Sequence, residues 1–250
     1  MNVSGFTFVH NAIENGYPLT EAIWSVIDTV DEMVVVDMES TDGTVTLLER
    51  LGVRVLHGEW IPGAGGACLA KAHEMHVECK EPVILHFEAD EVFGSSLSRT
   101  VAKMIAAGHT SLAVYRLQLE QNFQRCRWYP SEVHRVFPRG TVQKQGHTTK
   151  QHWEYLDPPV FVPPEAGYLW DFPSMCRGDW IPRMKVQAEL WGHEPKFKLV
   201  PYHFNEPVTE LTEKEAEEYI RDPIWQWKMT PFRIPRLMEG YLGKERCHVR

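Results

Sequence analysis

Short apolar runs alternate with helical stretches through the first 120 residues of the chain. Residues 3–10, 33–36, 53–56 and 83–87 have the length and apolar content of strands, and residues 83–87 predict a strand buried on both faces. Helices are predicted between them, at residues 18–30, 41–51 and 67–79. This order with short links predicts an α/β fold, with right-handed crossovers and a mainly parallel sheet.

The pattern of the second half is less regular. Residues 98–107 predict a helix, residues 111–119 and 133–137 two strands, and Arg139-Gly140 a turn. Residues 157–180 contain two Pro-Pro pairs and many aromatic side chains, and they match no regular element. Thr212-Glu213-Lys214-Glu215 is a capping box that predicts a helix to about residue 220. No linker composition separates the two halves, so we expect one domain.

Three carboxylates, Glu88, Asp90 and Glu91, follow the strand predicted at residues 83–87. Ligands of open α/β sheets bind beyond the carboxyl ends of the strands. Glu88 and Asp90 are two residues apart, so in extended chain their side chains point to the same side. Crowded carboxylates repel, and Mg²⁺ or Mn²⁺ would relieve that repulsion while keeping positions for phosphates. Taken alone, the pattern also fits a solvated acidic turn.

A second polar segment follows the strand predicted at residues 33–36. Asp37 ends this strand, so it joins Glu88 and Asp90 at one rim and could accept hydrogen bonds from a base or ribose. The chain continues as Met-Glu-Ser-Thr-Asp-Gly-Thr, and Ser40 or Thr41 is the predicted N-cap of the next helix. Helix capping alone would also explain residues 40–44.

Composition narrows the class of protein. The net charge of −8 gives no general attraction to nucleic acid or anionic membranes, although residues 125–139 could form a local basic patch. No apolar run is long enough to predict a transmembrane span, and the first residues lack the pattern of a signal peptide. The five scattered cysteines form no C-x-x-C pair, which predicts reduced thiols and a cytoplasmic protein.

In residues 6–12, 16–18, 30–44 and 88–91 the chain resembles the family 2 glycosyltransferases. Later segments, at residues 127–133 and 201–204, resemble bacterial and phage-type members. The resemblance implies a GT-A fold, which is a Rossmann-like sheet with flanking helices, followed here by an irregular, aromatic-rich C-terminal half. It also implies transfer of a sugar, with inversion, from a UDP-linked donor to an acceptor hydroxyl.

The resemblance implies a division of labour within the single domain. Residues 1–120 would bind the nucleotide sugar, and residues 121–250 would bind the acceptor on the same sheet. Val9, His10 and Asn11 would line the base, and Asp37 would contact the uracil or ribose. Lys71, in the helix before the acidic strand, would offset phosphate charge.

Metal binding is also implied by the resemblance. Asp90 would hold the Mn²⁺ or Mg²⁺ that bridges the diphosphate, and Glu88, with Ala89 beside it, would contact the ribose or support the metal. Glutamate stands at position 88 where the family often has aspartate, which leaves a direct Glu88–metal bond open. His203 matches a further metal ligand of some members, and a packed core histidine is its alternative.

The general base of this family is an aspartate or glutamate from the second half of the chain. Asp171 and Asp179 are the candidates, because both lie among aromatic residues where burial would raise a carboxyl pKa. We prefer Asp179. A structural role for both carboxylates is the alternative.

Other functions stay open at this point. Arg125, Arg127 and Arg135, with Trp128 and Tyr129, could hold a polyanionic acceptor such as DNA or RNA. A nucleotidyltransferase would share the sheet and the acidic metal site, but it would carry a Gly-rich phosphate loop where this chain has His-Asn-Ala-Ile after the first strand. A module that binds sugar or nucleic acid without catalysis would need no metal.

Overall fold

A computed structural model describes residues 2–61, 65–118, 131–141, 159–172, 197–199, 209–212 and 214. The strands of the first half are β1 (Val3–Val9), β2 (Glu32–Asp37), β3 (Arg54–His57), β4 (Val83–His86), β5 (Glu91–Phe93) and β6 (Leu112–Gln118). Those of the second half are β7 (Ser131–Pro138), β8 (Val160–Phe161), β9 (Leu169–Asp171), β10 (Phe197–Leu199) and β11 (Thr209–Leu211). The α-helices are α1 (Leu19–Val26), α2 (Thr44–Leu51), α3 (Gly65–Glu74) and α4 (Ser95–Ala106), and 3₁₀ turns lie at Ile27–Thr29, Met75–Glu78 and Pro164–Ala166.

Nine strands form one sheet in the order β3-β2-β1-β4-β7-β6-β9-β5, with β8 beside β6. The first four strands are parallel, as the β-α-β pattern predicts. Beyond β4 the sheet is mixed, since β7 runs antiparallel to β4 and β6, and β5 runs antiparallel to β9. The α/β fold is therefore confirmed, and strands from both halves of the chain share the sheet.

Helices cover both faces of the parallel strands. One face packs against α3, and the other packs against α1, α2 and α4. The apolar side chains of the strands therefore point alternately to the two faces. Those that pack against α3 are Phe6, Val34, Val36 and Ile84. Those that pack on the opposite face are Val9, Val35 and Leu85. This two-sided burial explains the continuous apolar runs of β2 and β4.

The second half of the sheet curls back on itself. Strands β4 and β5 are separated in the sheet by β7, β6 and β9, yet only residues 87–90 connect them along the chain. Since consecutive Cα atoms are about 3.8 Å apart, this link spans at most about 20 Å and draws the two strands together. The curl creates a partly enclosed interior beyond the end of β4.

Several local predictions differ from the structure. Residues 89 and 90 form a turn and not extended chain, so the alternation argument for Glu88 and Asp90 was wrong. Helix α2 begins three residues later than residue 41, and α3 ends at Glu74 where a 3₁₀ turn follows. The pattern also missed β5, β8, β9, β10 and β11. Most of the helix predicted from Thr212 lies outside the described residues.

No helix in the described part of the chain is long and apolar enough to cross a membrane.

Candidate active site

Asp37 and residues 88–91 flank the carboxyl end of β1. Strand β1 lies between β2 and β4, and Val9 is the register partner of Asp37. On the other side, the backbone N–H of Phe87 donates to the carbonyl of Phe6 at 3.2 Å. Because neighbouring strands are about 4.8 Å apart, the two acidic positions leave the sheet about 10 Å from each other. The predicted common rim therefore exists.

The loops after β1 and β2 are tied together by hydrogen bonds. The backbone N–H of Asn11 donates to Ser40 Oγ at 2.8 Å, and the N–H of Thr41 donates to Asn11 Oδ1 at 2.8 Å. Asn11 adopts a positive φ of 48° in this loop. Asn11, predicted to line the base, thus uses its side chain to hold this rim together.

Hydrogen bonds of residues 42–44 also link the two loops. Asp42 accepts from the N–H of Glu14 at 2.7 Å and from the N–H and hydroxyl of Thr44 at 3.0 and 2.6 Å. Gly43, with a φ of 90°, is the N-cap of α2. The predicted N-cap at Ser40 or Thr41 was therefore wrong, since these residues serve the contact between the two loops.

Asp37 is buried, with 2% of its surface exposed. Its Oδ2 accepts from the N–H of Ser40 at 3.1 Å. Its Oδ1 is buried and has no hydrogen-bond partner among the described residues. An unsatisfied buried carboxylate oxygen is costly, so this atom is suited to accept a hydrogen bond from a ligand.

An aromatic pair stands beside Asp37. The rings of His10 and Trp60 are stacked, with centroids 4.1 Å apart and an interplanar angle of 8°. His10 Nδ1 lies 2.5 Å from the carbonyl of Met38, which fixes the ring against the β2 loop. The sequence predicted His10 at this rim but gave no role to Trp60.

Lys71 lies on the exposed side of α3. Its Nζ is 3.7 Å from Glu59 Oε2, and both side chains are largely exposed. An exposed ion pair of this kind contributes little to stability, so the ammonium group could exchange its partner for an anionic ligand.

The acidic turn, residues 88–91, is closed by hydrogen bonds to its own backbone. The N–H of Glu91 donates to the carbonyl of Glu88 at 3.0 Å, and the N–H of Glu88 donates to Glu91 Oε2 at 3.0 Å. The carbonyl of Asp90 accepts from the N–H of Phe172 at 2.8 Å. The turn is thereby anchored to the chain after β9, about eighty residues away.

Buried charges from the curled sheet surround the acidic turn. Arg135 Nε donates to Glu91 Oε2 at 2.8 Å, Nη2 contacts Glu91 Oε1, and Nη2 also reaches Glu88 Oε1 at 3.1 Å. Arg116 Nη1 lies 3.5 Å from Glu91 Oε1 and 3.7 Å from Asp171 Oδ2. Glu91 and Arg135 are fully buried, and Glu88 keeps 30% of its side chain exposed.

The charge balance around the turn favours a cation. Among the described residues, Glu88, Glu91 and Asp171 contact the guanidinium groups of Arg116 and Arg135, and Asp90 adds a fourth carboxylate to the turn. Burial raises the pKa of Glu88, and the neighbouring charge of Glu91 raises it further. Burial alone would also raise the pKa of Glu91, but Arg135 and Arg116 hold it below its usual value. Glu91 is therefore the more readily ionised member of the pair, and Glu88 is the more readily protonated one.

The acidic turn fits a divalent cation that is shared with a ligand. Among the described residues, no three histidine, cysteine or carboxylate side chains converge as a complete metal site. Glu88 and Asp90 would therefore supply part of the ligand set, and phosphate and water would supply the rest, as is common for Mg²⁺.

The buried position of Arg135 contradicts its predicted place in a basic surface patch. Arg135 is 1% exposed, so it cannot belong to a surface patch that binds a polyanionic acceptor. Its place in the apolar sequence Val-His-Arg-Val-Phe was a usable signal, because a charge within a buried strand requires a buried partner. Arg116 and Glu91 were also missed as supporting residues.

Three buried histidines lie on the other face of the sheet. His73 and His76 come from α3 and the turn after it, and His86 comes from β4. The ring centroid of His73 lies 5.1 Å from that of His76 and 5.2 Å from that of His86. Burial lowers the pKa of all three, and it lowers that of His86 to about 3. They form a neutral part of the core.

The remaining predicted site residues divide into two groups. Asp171 lies on β9, is 4% exposed and is the register partner of Glu91, so the structure brings it to the acidic turn. Asp179 and His203 lie outside the described residues, as do Arg125, Arg127, Trp128 and Tyr129.

Two of the relatives each match about a third of the chain. Uncharacterized glycosyltransferases of Rickettsia felis and Rickettsia bellii are each 35% identical over 89 residues, or 36% of this chain. The match spans 30% and 29% of their own lengths, which is less than a third of each relative.

Solved structures resemble the fold at low identity. TarS residues 1–349 from S. aureus has a TM-score of 0.49 and 16% identity, over 76% of this chain and 65% of that one. Glucosyl-3-phosphoglycerate synthase from M. tuberculosis, in complex with Mn²⁺, UDP-glucose and phosphoglyceric acid, has a TM-score of 0.35 and 17% identity, over 46% and 43% of the two chains.

The sequence profile of glycosyl transferase family 2 matches residues 8–171. This match runs from the end of β1 to the end of β9, and so includes Asp37, the acidic turn and Asp171. It covers more than half of the chain and confirms the resemblance found in the sequence. The chain belongs to glycosyl transferase family 2.

Proposed function

We propose that the protein is a metal-dependent glycosyltransferase that moves a sugar, with inversion, from a UDP-sugar to an acceptor hydroxyl. The observation that carries the proposal is the placement of Asp37 and the acidic turn on the two sides of the end of β1. Membership in glycosyl transferase family 2 supports the reaction class. A separation of about 10 Å suits a nucleoside at one position and its diphosphate at the other.

The nucleoside would bind at Asp37. Its buried, unsatisfied Oδ1 would accept a hydrogen bond from the uracil or ribose. The stacked rings of His10 and Trp60 would offer an aromatic face to the base, and Val9 would close the floor beside Asp37. Asn11 would act by holding the two loops in place.

The diphosphate would lie over the acidic turn. Asp90 and Glu88 would hold Mn²⁺ or Mg²⁺, with His203 as a further ligand, and Ala89 would leave room for the donor between the two acids. The bound cation would stabilise the negative charge that develops on the departing nucleoside diphosphate. Lys71 would offset phosphate charge from α3, because its surface pair with Glu59 is readily exchanged.

Asp179 would remove the proton from the acceptor hydroxyl. Asp171 is the other candidate, but its pairing with Arg116 at 3.7 Å commits it to the buried charges around the turn. We expect Asp179→Asn to keep UDP binding and to lower turnover by about 10²- to 10⁴-fold, the contribution of a positioned base. Asp171→Asn is the matched variant, and if it alone abolished turnover with UDP binding intact, the base would be Asp171.

Residues 1–120 would form the donor-binding half and residues 121–250 the acceptor-binding half. The acceptor would be a hydroxyl on a glycan, a small molecule or a modified base of nucleic acid. The proposed compartment is the cytoplasm, and the free buried thiols of Cys68 and Cys79 are in keeping with reducing conditions.

A panel of nucleotide sugars tests the proposed function. The protein is incubated with each donor plus Mn²⁺, with Mg²⁺ or with a chelator, and release of free UDP is measured. We expect slow, metal-dependent UDP release from one class of UDP-sugar. Release of pyrophosphate from a nucleoside triphosphate with a sugar phosphate would instead indicate a nucleotidyltransferase, and tight binding with no release in any mixture would indicate a module without catalysis.

A further inference from the structure

Four strands around the curl each contribute one charged side chain to a largely buried cluster, and a fifth charged residue follows β4. Arg135 comes from β7, Arg116 from β6, Asp171 from β9 and Glu91 from β5, while Glu88 follows β4. Their contacts of 2.8 to 3.7 Å link all five strands. Such a cluster is costly to bury, because each charge loses its hydration. The cluster therefore calls for a role beyond stability.

Glu91 is the residue through which this cluster reaches the acidic turn. Its carboxylate is fully buried and accepts from Arg135 on one side and from the N–H of Glu88 on the other. A two-pronged guanidinium contact fixes the position and the plane of a carboxylate. The plane of the Glu91 carboxylate in turn fixes the first residue of the turn.

We propose that Arg135 and Glu91 are positioning residues that set the shape of the acidic turn and thereby place Glu88 and Asp90 for cation binding. The inference rests on the proposed function, because it assumes that the cation binds at this turn. Arg135 acts through its hydrogen-bond geometry and not through its charge.

The charge of Arg135 and its positioning role predict opposite changes in Mn²⁺ affinity, so the direction of the change tests the inference. A guanidinium 3.1 Å from Glu88 repels a nearby cation, so its charge alone weakens metal binding. If charge were its whole effect, Arg135→Met would bind Mn²⁺ more tightly, and Arg135→Lys would bind it as the parent does. If Arg135 positions the turn, both variants bind Mn²⁺ more weakly, since neither side chain reproduces the planar fork.

The test measures Mn²⁺ affinity in the presence of saturating UDP by titration calorimetry. We expect Arg135→Met and Arg135→Lys each to weaken Mn²⁺ binding about 10- to 100-fold, the usual effect of losing a partner that orients a metal ligand. Where Arg135→Met fails to fold, as judged by its thermal transition, Arg135→Lys decides the question, because it keeps the buried charge paired.

A second readout needs no metal. Amide hydrogen exchange at Glu88 should be faster in metal-free Arg135→Lys than in the parent, because its N–H is held by the Glu91 carboxylate that Arg135 fixes. Glu32→Gln is the matched control. Glu32 is a largely buried carboxylate that accepts from Ser4 Oγ at 2.6 Å and lies 3.8 Å from Arg54, but it stands at the amino end of β2, whereas the acidic turn follows the carboxyl end of β4.

The outcomes separate the inference from the proposed function. Weaker Mn²⁺ binding and faster Glu88 exchange in Arg135→Lys, with parental values in Glu32→Gln, support the positioning role. Parental binding and exchange in Arg135→Lys, or tighter binding in Arg135→Met, overturn it while leaving the proposed function in place. If the parent itself binds no Mn²⁺ with UDP, the proposed function fails, and the inference fails with it.

Discussion

The two sides of the proposed donor site are built in opposite ways. The base rim, residues 9–17 and 37–44 with Trp60, is held by hydrogen bonds between two loops that follow adjacent parallel strands. The acidic turn, residues 88–91, is held by buried charges from strands β5, β6, β7 and β9. One side is a local tie between neighbours, and the other depends on the whole curl of the sheet.

This difference predicts which substitutions should lower the stability of the fold. Removing one hydrogen bond from the base rim leaves the others in place, and water can replace it at a half-exposed loop. Removing one member of the charge cluster leaves a buried, unpaired ion, which is strongly destabilising. Ligand binding and stability should therefore be separable at the base rim and coupled in the charge cluster that supports the acidic turn.

The largest effect is expected from Asp90→Ala. The turn would lose one of its two proposed cation ligands, so we expect metal-dependent UDP binding to be abolished in calorimetry. Thermal unfolding should show an intact fold. Asp28→Ala, an exposed acid after α1, is the control and should bind as the parent does. Parental UDP and Mn²⁺ binding by Asp90→Ala would move the metal site elsewhere.

Glu91→Gln contrasts directly with Ser40→Ala. Glu91→Gln leaves buried Arg135 with only the partly exposed Glu88 as an ionic partner and should cost about 3–5 kcal/mol of unfolding free energy. Ser40→Ala removes a single loop hydrogen bond and should cost about 1 kcal/mol. Chemical denaturation measures both. Equal losses in the two variants would remove the proposed distinction between the two sides.

Asp37→Ala should weaken nucleotide binding with and without metal, because Asp37 is proposed to contact the base or ribose. Loss of a charge-assisted hydrogen bond predicts about 1.5–3 kcal/mol, or roughly 10- to 150-fold in UDP affinity. The affinity of Asp37→Ala for uridine should fall by a similar factor. If UDP affinity were unchanged in calorimetry, Asp37 would have no part in the nucleoside site.

The last prediction concerns acid and the buried histidines. The pKa of His73 is lowered by burial from an ordinary value of 6.5, so the unfolded chain binds a proton there that the folded chain does not. Stability should therefore fall as the pH drops below 6.5, by about 1.4 kcal/mol per pH unit for each histidine that stays neutral. The pKa values of Glu32 and Asp42 are lowered in the folded chain, so these carboxylates reduce stability only below about pH 4.5.

Unfolding free energies between pH 6.5 and 4.5 check this prediction. The raised pKa of Glu88 works in the opposite direction over the same range, because the folded state gains a proton there first. His73→Gln should flatten the slope. An equally steep slope in that variant would assign the acid sensitivity to other groups.

The base rim was largely predictable from sequence, and the support of the acidic turn was not. Asp37 follows a recognisable buried strand, and parallel order alone places it beside β1. Arg135 and Asp171 lie 44 and 80 residues from Glu91, in the irregular half where periodicity fails. Only the curl of the sheet brings them together. The cap of α2 was missed for a related reason, since Ser40 and Thr41 are recruited by a loop thirty residues away.

The most direct test of the central claim compares uridine and UDP with and without Mn²⁺. The claim is that the nucleoside binds at Asp37 and that the cation binds only with the diphosphate at the acidic turn. Calorimetry on the parent protein should then show that Mn²⁺ tightens UDP binding and leaves uridine binding unchanged. Equal tightening of both ligands, or no effect of Mn²⁺ on UDP, would contradict the two-sided site.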